Sequence, residues 1–137
     1  LNAAETGHLV FASLHTNTAS GALSRILDLV PEGTRDQYRG MLATCLRCVL
    51  AQRLVPKIGG GRVGAFEFMV NTPAVASQIR ENKLGQLRGS IKTGREHAMV
   101  SLDQSLKRLV MEKKITRETA LDYADNRSEL EQELRAF

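Results

Sequence analysis

The sequence predicts an α/β fold that gives way to an all-helical segment, and three observations carry that expectation. The run HLVFASL, residues 8–14, is nearly continuous in apolar or small side chains, the pattern of a strand covered on both faces. Two β-rich runs, 52–58 and 62–70, are joined by Gly59, Gly60 and Gly61, which reads as a hairpin turn. Beyond about residue 70 the apolar residues recur at helical spacing, and several of those runs open on a Thr or Ser cap.

Each element has a local reason. LNAAETG, residues 1–7, reads as the last turn of a helix closed by Gly7, where a left-handed backbone is cheapest. Asn17 or Thr18 can cap the next helix, in which Ala22, Leu23, Ile26 and Leu27 repeat before Pro31 stops it. Thr34 and Gln37 have capping-box spacing and open an expected helix over 35–51. On it, Leu42, Leu46, Val49 and Leu50 form one stripe, with Met41, Cys45 and Cys48 beside it. Thr72 caps and Pro73 begins a short helix to about residue 81, and 84–93 continues helically to Gly94. Ser101 with Gln104 repeats the capping-box spacing ahead of Leu102, Leu106, Leu109 and Val110. Thr116 starts another short helix, and Ser128 with Glu131 is expected to cap the last. The composition shift divides the chain into 1–70 and 71–137.

Composition narrows the function classes. The 137 residues, 42% hydrophobic and 25% charged, suffice for a cored domain and lie outside the range of disordered chains. A net charge of +4 and a pI near 9.4 arise from nineteen basic residues dispersed among fifteen acidic ones. With four Phe, two Tyr and no Trp there is no basic stripe with interleaved aromatics, so no nucleic-acid partner is expected. No apolar run approaches the ~20 residues that cross a bilayer, so no transmembrane segment is expected. The N-terminus also lacks a signal-peptide pattern. Cys45 and Cys48 form a single C-x-x-C with no second pair and no nearby histidine at ligand spacing. No metal site is expected, and two free thiols suit a reducing cytoplasm. The triple glycine is not a phosphate loop, since no Lys-Ser or Lys-Thr follows it and a strand comes next.

Chemistry concentrates at GHLVFASLHTNTASGALSRIL, residues 7–27. As a strand, 8–14 would hold His8 and His15 about 23 Å apart on opposite faces, too far to share a metal. His15 would stand at the strand's carboxyl end, before a loop and a helix N-terminus, where open α/β sheets bind ligands. Thr16, Asn17 and Thr18 offer short donors beside the positive end of the helix dipole. The residues alone admit two readings: a site for an anionic group, or a helix cap with a histidine satisfying a backbone carbonyl. His8 reads as structural, and His97 gives no signal.

The run AAETGHLVFASLHTNTA closely resembles the histidine box of the hexameric type II/type IV secretion ATPases, most specifically of the PilT-type pilus retraction motors. The resemblance continues through QRLVPKIGGGRVGAFEFMVNTPAVASQIRENK, which is similar to that family's hairpin and its AIRNLIRE helix. Here the last motif reads AVASQIRE: Ala74, Ile79, Arg80 and Glu81 match, Val75 is conservative, and Ala76, Ser77 and Gln78 depart.

The resemblance implies the C-terminal part of a RecA-like P-loop ATPase core, with a sheet, flanking helices and a β-hairpin, followed by a helical subdomain. It implies that His15 reaches toward the nucleotide phosphates and reports nucleotide state, that His8 supports it, and that Thr16 and Asn17 lie near the nucleotide. It implies that Ala74, Ile79, Arg80 and Glu81 belong to a retraction motif with a charged tip for a neighbouring subunit or machine component. The whole protein would use ATP and Mg²⁺ and work as a homo-hexamer on an inner-membrane pilus platform protein from the cytoplasmic side. Pilus extension or type II secretion is the nearest alternative within the superfamily, and a non-enzymatic interaction module the alternative outside it; the family's four-cysteine zinc insertion is absent. The chain has no G-x-x-x-x-G-K-[ST] and no acidic Walker B strand before the box. It is therefore expected to be part of a longer protein and inactive alone.

Overall fold

The computed structural model describes residues 1–135, so the last two positions of the expected 71–137 segment lie outside the described residues. Among the described residues, eight helices and one hairpin follow in order: α1 (Asn2–Glu5), α2 (Ala19–Asp28), α3 (Arg35–Cys45), β1 (Cys48–Pro56), β2 (Arg62–Val70), α4 (Pro73–Arg80), α5 (Leu87–Thr93), α6 (Leu102–Met111), α7 (Arg117–Tyr123) and α8 (Arg127–Arg135). Short 3₁₀ turns precede α3 and α5 and follow α5.

The hairpin organises the rest. β1 and β2 pair antiparallel from Cys48 opposite Val70 to Pro56 opposite Arg62. Gly59, Gly60 and Gly61 close it with φ of 83°, 101° and 74°, a left-handed run that side chains strongly disfavour. Alternation turns Ala51, Val55, Ala65, Glu67 and Met69 inward, while Leu50, Leu54 and Phe66 stay exposed on the other face. The free edge of β2 is covered by the segment before α6: Phe68 and Val100 exchange both backbone hydrogen bonds, at 2.8 and 3.0 Å.

Two apolar clusters sit on the hairpin. One gathers Leu23 and Leu27 of α2, Leu42 of α3, Met69 of β2, Val75 and Ile79 of α4, and Leu87 and Ile91 of α5. The other gathers Val55, Ala65, Leu102, Leu106 and Leu109 with Ile115, Ala120, Leu130 and Leu134. β2 contributes to both, and Glu67 lies between its two core residues Ala65 and Met69.

Several local expectations are met. Gly7 has φ 93° after α1. Thr18, Thr72, Ser101 and Thr116 cap α2, α4, α6 and α7 through their side-chain oxygens, and Ser101 with Gln104 forms a complete capping box.

Others are corrected. Residues 8–14 form no strand and are largely exposed, with Leu9 at 79% and Phe11 at 88%. A two-sided buried strand needs ladder partners, and among the described residues β1 and β2 pair only with each other and with Val100. The helix expected over 35–51 stops at Cys45. The Asn71 side-chain amide donates to the carbonyls of Ala43 and Leu46 at 3.0 and 2.9 Å, Leu46 swings to ψ 136°, and Cys48 enters the ladder opposite Val70. Cys45 and Cys48 are therefore not neighbours on a helix face; one ends α3 half-buried and the other is exposed on β1. The first strand consequently runs 48–56 rather than 52–58.

Thr34 makes no cap bond to α3, because its hydroxyl donates instead to the Pro31 carbonyl at 2.9 Å. The 84–93 segment is a 3₁₀ turn followed by α5 rather than one helix. The last helix is capped two residues earlier than expected, by Asn126, whose Oδ1 accepts from the Glu129 amide at 3.3 Å and from the Ser128 hydroxyl at 2.9 Å. The amides of Asp125 and Asn126 are held by Asp103, at 2.8 and 3.2 Å, which fixes where α8 begins.

Candidate functional site

The histidine loop is built from the helix side. Because 8–14 makes no ladder, the expectation that a buried strand pins His15 is replaced by another anchoring. Thr18 adopts an extended backbone, φ −140°, and its Oγ1 accepts from the Gly21 amide at 3.1 Å, so α2 starts at Ala19, four positions after His15. Gly21 suits that cap: a Cβ there would lie 2.9 Å from Thr18 Oγ1. Thr16 is half-buried, and its hydroxyl lies 3.5 Å from the Thr18 carbonyl, while His15 and Asn17 are exposed at the tip. His8, seven residues earlier, folds back on α1, with Nδ1 3.1 Å from Thr6 Oγ1 and 3.2 Å from the Ala3 carbonyl. His8 and His15 are both exposed.

The first amide of α2 is already taken. Ala19 N–H donates to Glu67 Oε1 at 2.8 Å, and Glu67 is buried on β2 with 4% exposure. An amide bonded to a charged acceptor contributes about 1.5–3 kcal/mol, which offsets part of the burial of the carboxylate. Burial nonetheless pushes the Glu67 carboxyl above its ordinary range, helped by nearby Asp125, while the amides of Ala19 and Leu102 and the Arg53 guanidinium pull it down. The positive end of the α2 dipole is therefore complemented by the protein's own carboxylate. An external anion would meet His15, Thr16 and Asn17 instead of the first helix amide.

Glu67 is the residue the sequence reading passed over. Its signal was present in GAFEFMV: an acidic side chain at the same parity as Ala65 and Met69 in an alternating strand must point into the core. His15 and Asn17 are exposed and Thr16 is half-buried, and their side chains carry hydrogen-bond donors. They include no carboxylate, and no group of three or more His, Cys, Asp or Glu suited to a metal exists among the described residues, so these residues do not form a Mg²⁺ site.

The second constellation lies on α4. Thr72 Oγ1 accepts from the Val75 amide at 3.4 Å and Pro73 occupies the first turn, which sets the phase of the helix. Val75 and Ile79 enter the core, whereas Ala74, Arg80 and Glu81 are exposed. Glu81 does not pair chiefly with Arg80: its carboxylate accepts from Lys83 at 2.6 Å and from Ser77 Oγ at 2.7 Å, and the Lys83 ammonium leads in holding its carboxyl below the usual range. The positions that depart from the AIRNLIRE pattern have local work. Ala76 packs on the core, Ser77 holds Glu81, and Gln78 Oε1 accepts from Ser90 Oγ at 3.0 Å on α5.

α2 and α4 share one apolar cluster, but no hydrogen bond or ion pair joins His8 or His15 to Arg80 or Glu81 among the described residues. No helix among the described residues is long and apolar enough to cross a membrane.

Comparison with known proteins covers both constellations. The chain is 46% identical over 124 residues to "Type IV pilus retractation ATPase PilT" of Pseudomonas aeruginosa, covering 90% of this chain and 36% of that protein. It is 42% identical over 127 residues to a "Twitching motility protein" of Neisseria gonorrhoeae, covering 92% of this chain and 34% of that protein. The chain thus spans about a third of the length of the curated relatives it matches. A crystal structure described as the pilus retraction motor PilT with bound ADP superposes with a TM-score of 0.83 at 41% identity, covering 96% of this chain and 36% of that one. The expected fold class is therefore the observed one: an α/β portion of a RecA-like secretion ATPase with helices around a small antiparallel sheet. A family model described as "Type II/IV secretion system protein" matches residues 1–136, and the chain belongs to that family.

Proposed function

We propose that this chain is the C-terminal part of the ATPase domain of a hexameric, ATP-driven motor that retracts type IV pili. The supporting observation is the 46% identity over 124 residues to a pilus retraction ATPase. The exposed His15, carried on the Thr18-capped start of α2, would sense the terminal phosphate of ATP or its hydrolysis products by hydrogen bonding. Thr16 and Asn17 would flank the phosphates, and His8 would hold the preceding turn. The phosphate cradle and the Mg²⁺ ligands would come from other parts of the whole protein. In that protein the apolar 8–14 segment, with Leu9 and Phe11 now exposed, would complete a sheet and bury its side chains.

The division at about residue 70 would separate the part carrying the histidine box from the part carrying α4. Ala74 and Ile79 would set the pose of α4, and Arg80 and Glu81 would meet a neighbouring subunit or the inner-membrane platform protein on the cytoplasmic side. Replacing His15 by Ala in the whole protein is expected to cut ATP turnover at least about tenfold while leaving the thermal transition in place. Unchanged turnover would remove the role given to that imidazole.

A further inference from the structure

Three consecutive residues of β2 hold the starts of two helices that belong to different apolar clusters. Phe66 N–H donates to Ser105 Oγ of α6 at 3.0 Å, and Phe68 exchanges backbone hydrogen bonds with Val100 just before α6. Between them, Glu67 Oε1 accepts from Ala19 N–H, the first amide of α2, at 2.8 Å. Ala19 is four residues from His15, and Leu102 opens the helix that anchors the second cluster. Glu67 is buried, at 4% exposure, so water does not replace that donor.

A carboxylate accepts and donates nothing, so the first amide of α2 suits it, and the α2 dipole favours its charge. Packed cores deform poorly, so a shift of the α2 start has to be taken up at this junction. We propose that Glu67 is a positioning residue that couples the nucleotide-facing loop 15–18 to the helices 102–135, its carboxylate holding the first amide of α2 while its strand neighbours Phe66 and Phe68 hold Ser105 and Val100 at the start of α6. The coupling rests on the reading of loop 15–18 as nucleotide-facing. Arg53 sits beside the junction, donating to the Tyr123 carbonyl at 2.9 Å and pairing with Asp125 at 3.2 Å, and so extends it to the end of α7.

The test is amide hydrogen exchange on the whole protein with ADP and with a non-hydrolysable ATP analogue, followed separately at 15–23 and 102–111. Both segments are expected to change between the two nucleotides in the unsubstituted protein. Glu67→Gln replaces one acceptor oxygen by a donor. It is expected to keep the response at 15–23 and reduce that at 102–111 at least about threefold, with kcat for ATP lowered and KM little changed. Ser105→Ala, which removes the Phe66 partner on the α6 side, should weaken the distal response in the same direction and provides the reading if Glu67→Gln fails to fold. Full transmission to 102–111 in the folded Glu67→Gln protein, or in Ser105→Ala when the former does not fold, overturns the coupling alone. Absence of any response at 15–23 in the unsubstituted protein overturns the nucleotide-facing reading and the coupling with it.

Discussion

Gly21→Ala isolates how the histidine loop is held, because two ordinary effects oppose one another at this position. Alanine inside a helix is more favourable than glycine by about 0.8–1 kcal/mol. Its Cβ, however, would stand 2.9 Å from Thr18 Oγ1, the atom that accepts from the Gly21 amide at 3.1 Å. The next nearest atom, Thr16 Cβ, is at 3.8 Å, an ordinary contact. The hydroxyl must therefore turn or retreat, and loss of a Thr cap costs about 0.5–2 kcal/mol. The two terms nearly cancel, so Gly21→Ala alone should leave α2 unchanged or slightly weaker.

In a Thr18→Ala background the obstructing oxygen is gone, and the same substitution should strengthen α2 by about 1 kcal/mol, close to fivefold in an opening equilibrium. Amide exchange of residues 22–27 in the four proteins reads the coupling directly. A coupling near 1 kcal/mol is expected, and additivity to within about 0.5 kcal/mol would show that Thr18 Oγ1 does not set the start of the helix.

Two further outcomes follow from the surface chemistry. Arg80→Ala is expected to slow pilus retraction strongly while leaving nucleotide affinity within about twofold, since Arg80 is exposed at the helix tip whereas Ile79 beside it fills the core; equal loss of both, compared by retraction velocity and ATP titration, would indicate destabilisation instead. The Lys92 ammonium, with Arg88 nearby, holds the Glu129 carboxyl below its usual range, so Glu129 contributes stability that is present above the ordinary glutamate pKa and lost as pH falls through the lowered one. Glu67 and Asp125, raised by burial, act with the opposite sign, so the contribution is read as a difference. On acidification below about pH 4.5 the native protein should lose more stability than its Glu129→Gln variant, and parallel denaturation midpoints across that range would refute it.

What could be read from the sequence was what neighbours in the chain decide. The caps at Thr18, Thr72, Ser101 and Thr116 need only their own next few amides, and the three glycines need only each other to turn the hairpin. The end of α3 was not readable in that way. Its apolar stripe runs on past Cys45, and it is broken by Asn71, which takes the Ala43 and Leu46 carbonyls from 25 or more positions away. Asn126 prevailed over Ser128 as the last cap for a similar reason, because Asp103 on another helix grips the Asp125 and Asn126 amides.

The same distinction separates the parts of the candidate site. His15, Thr16 and Asn17 stand out because exposed chemistry at a helix start is a local pattern, and the strand expected before them fails because a ladder is never local. Glu67 lies between these cases. Its parity in β2 marks it as inward, but only the folded chain supplies the Ala19 amide that helps make a buried carboxylate tolerable there. Helix α2 thus begins where it does for two independent reasons: a hydroxyl one residue before its first turn, and a carboxylate arriving from a strand 48 positions later. The loop is fixed twice on its helix side and has no strand ladder at 8–14, and it is linked to the packed interior both through the core residues Ala19, Leu23 and Leu27 of α2 and through the buried Glu67.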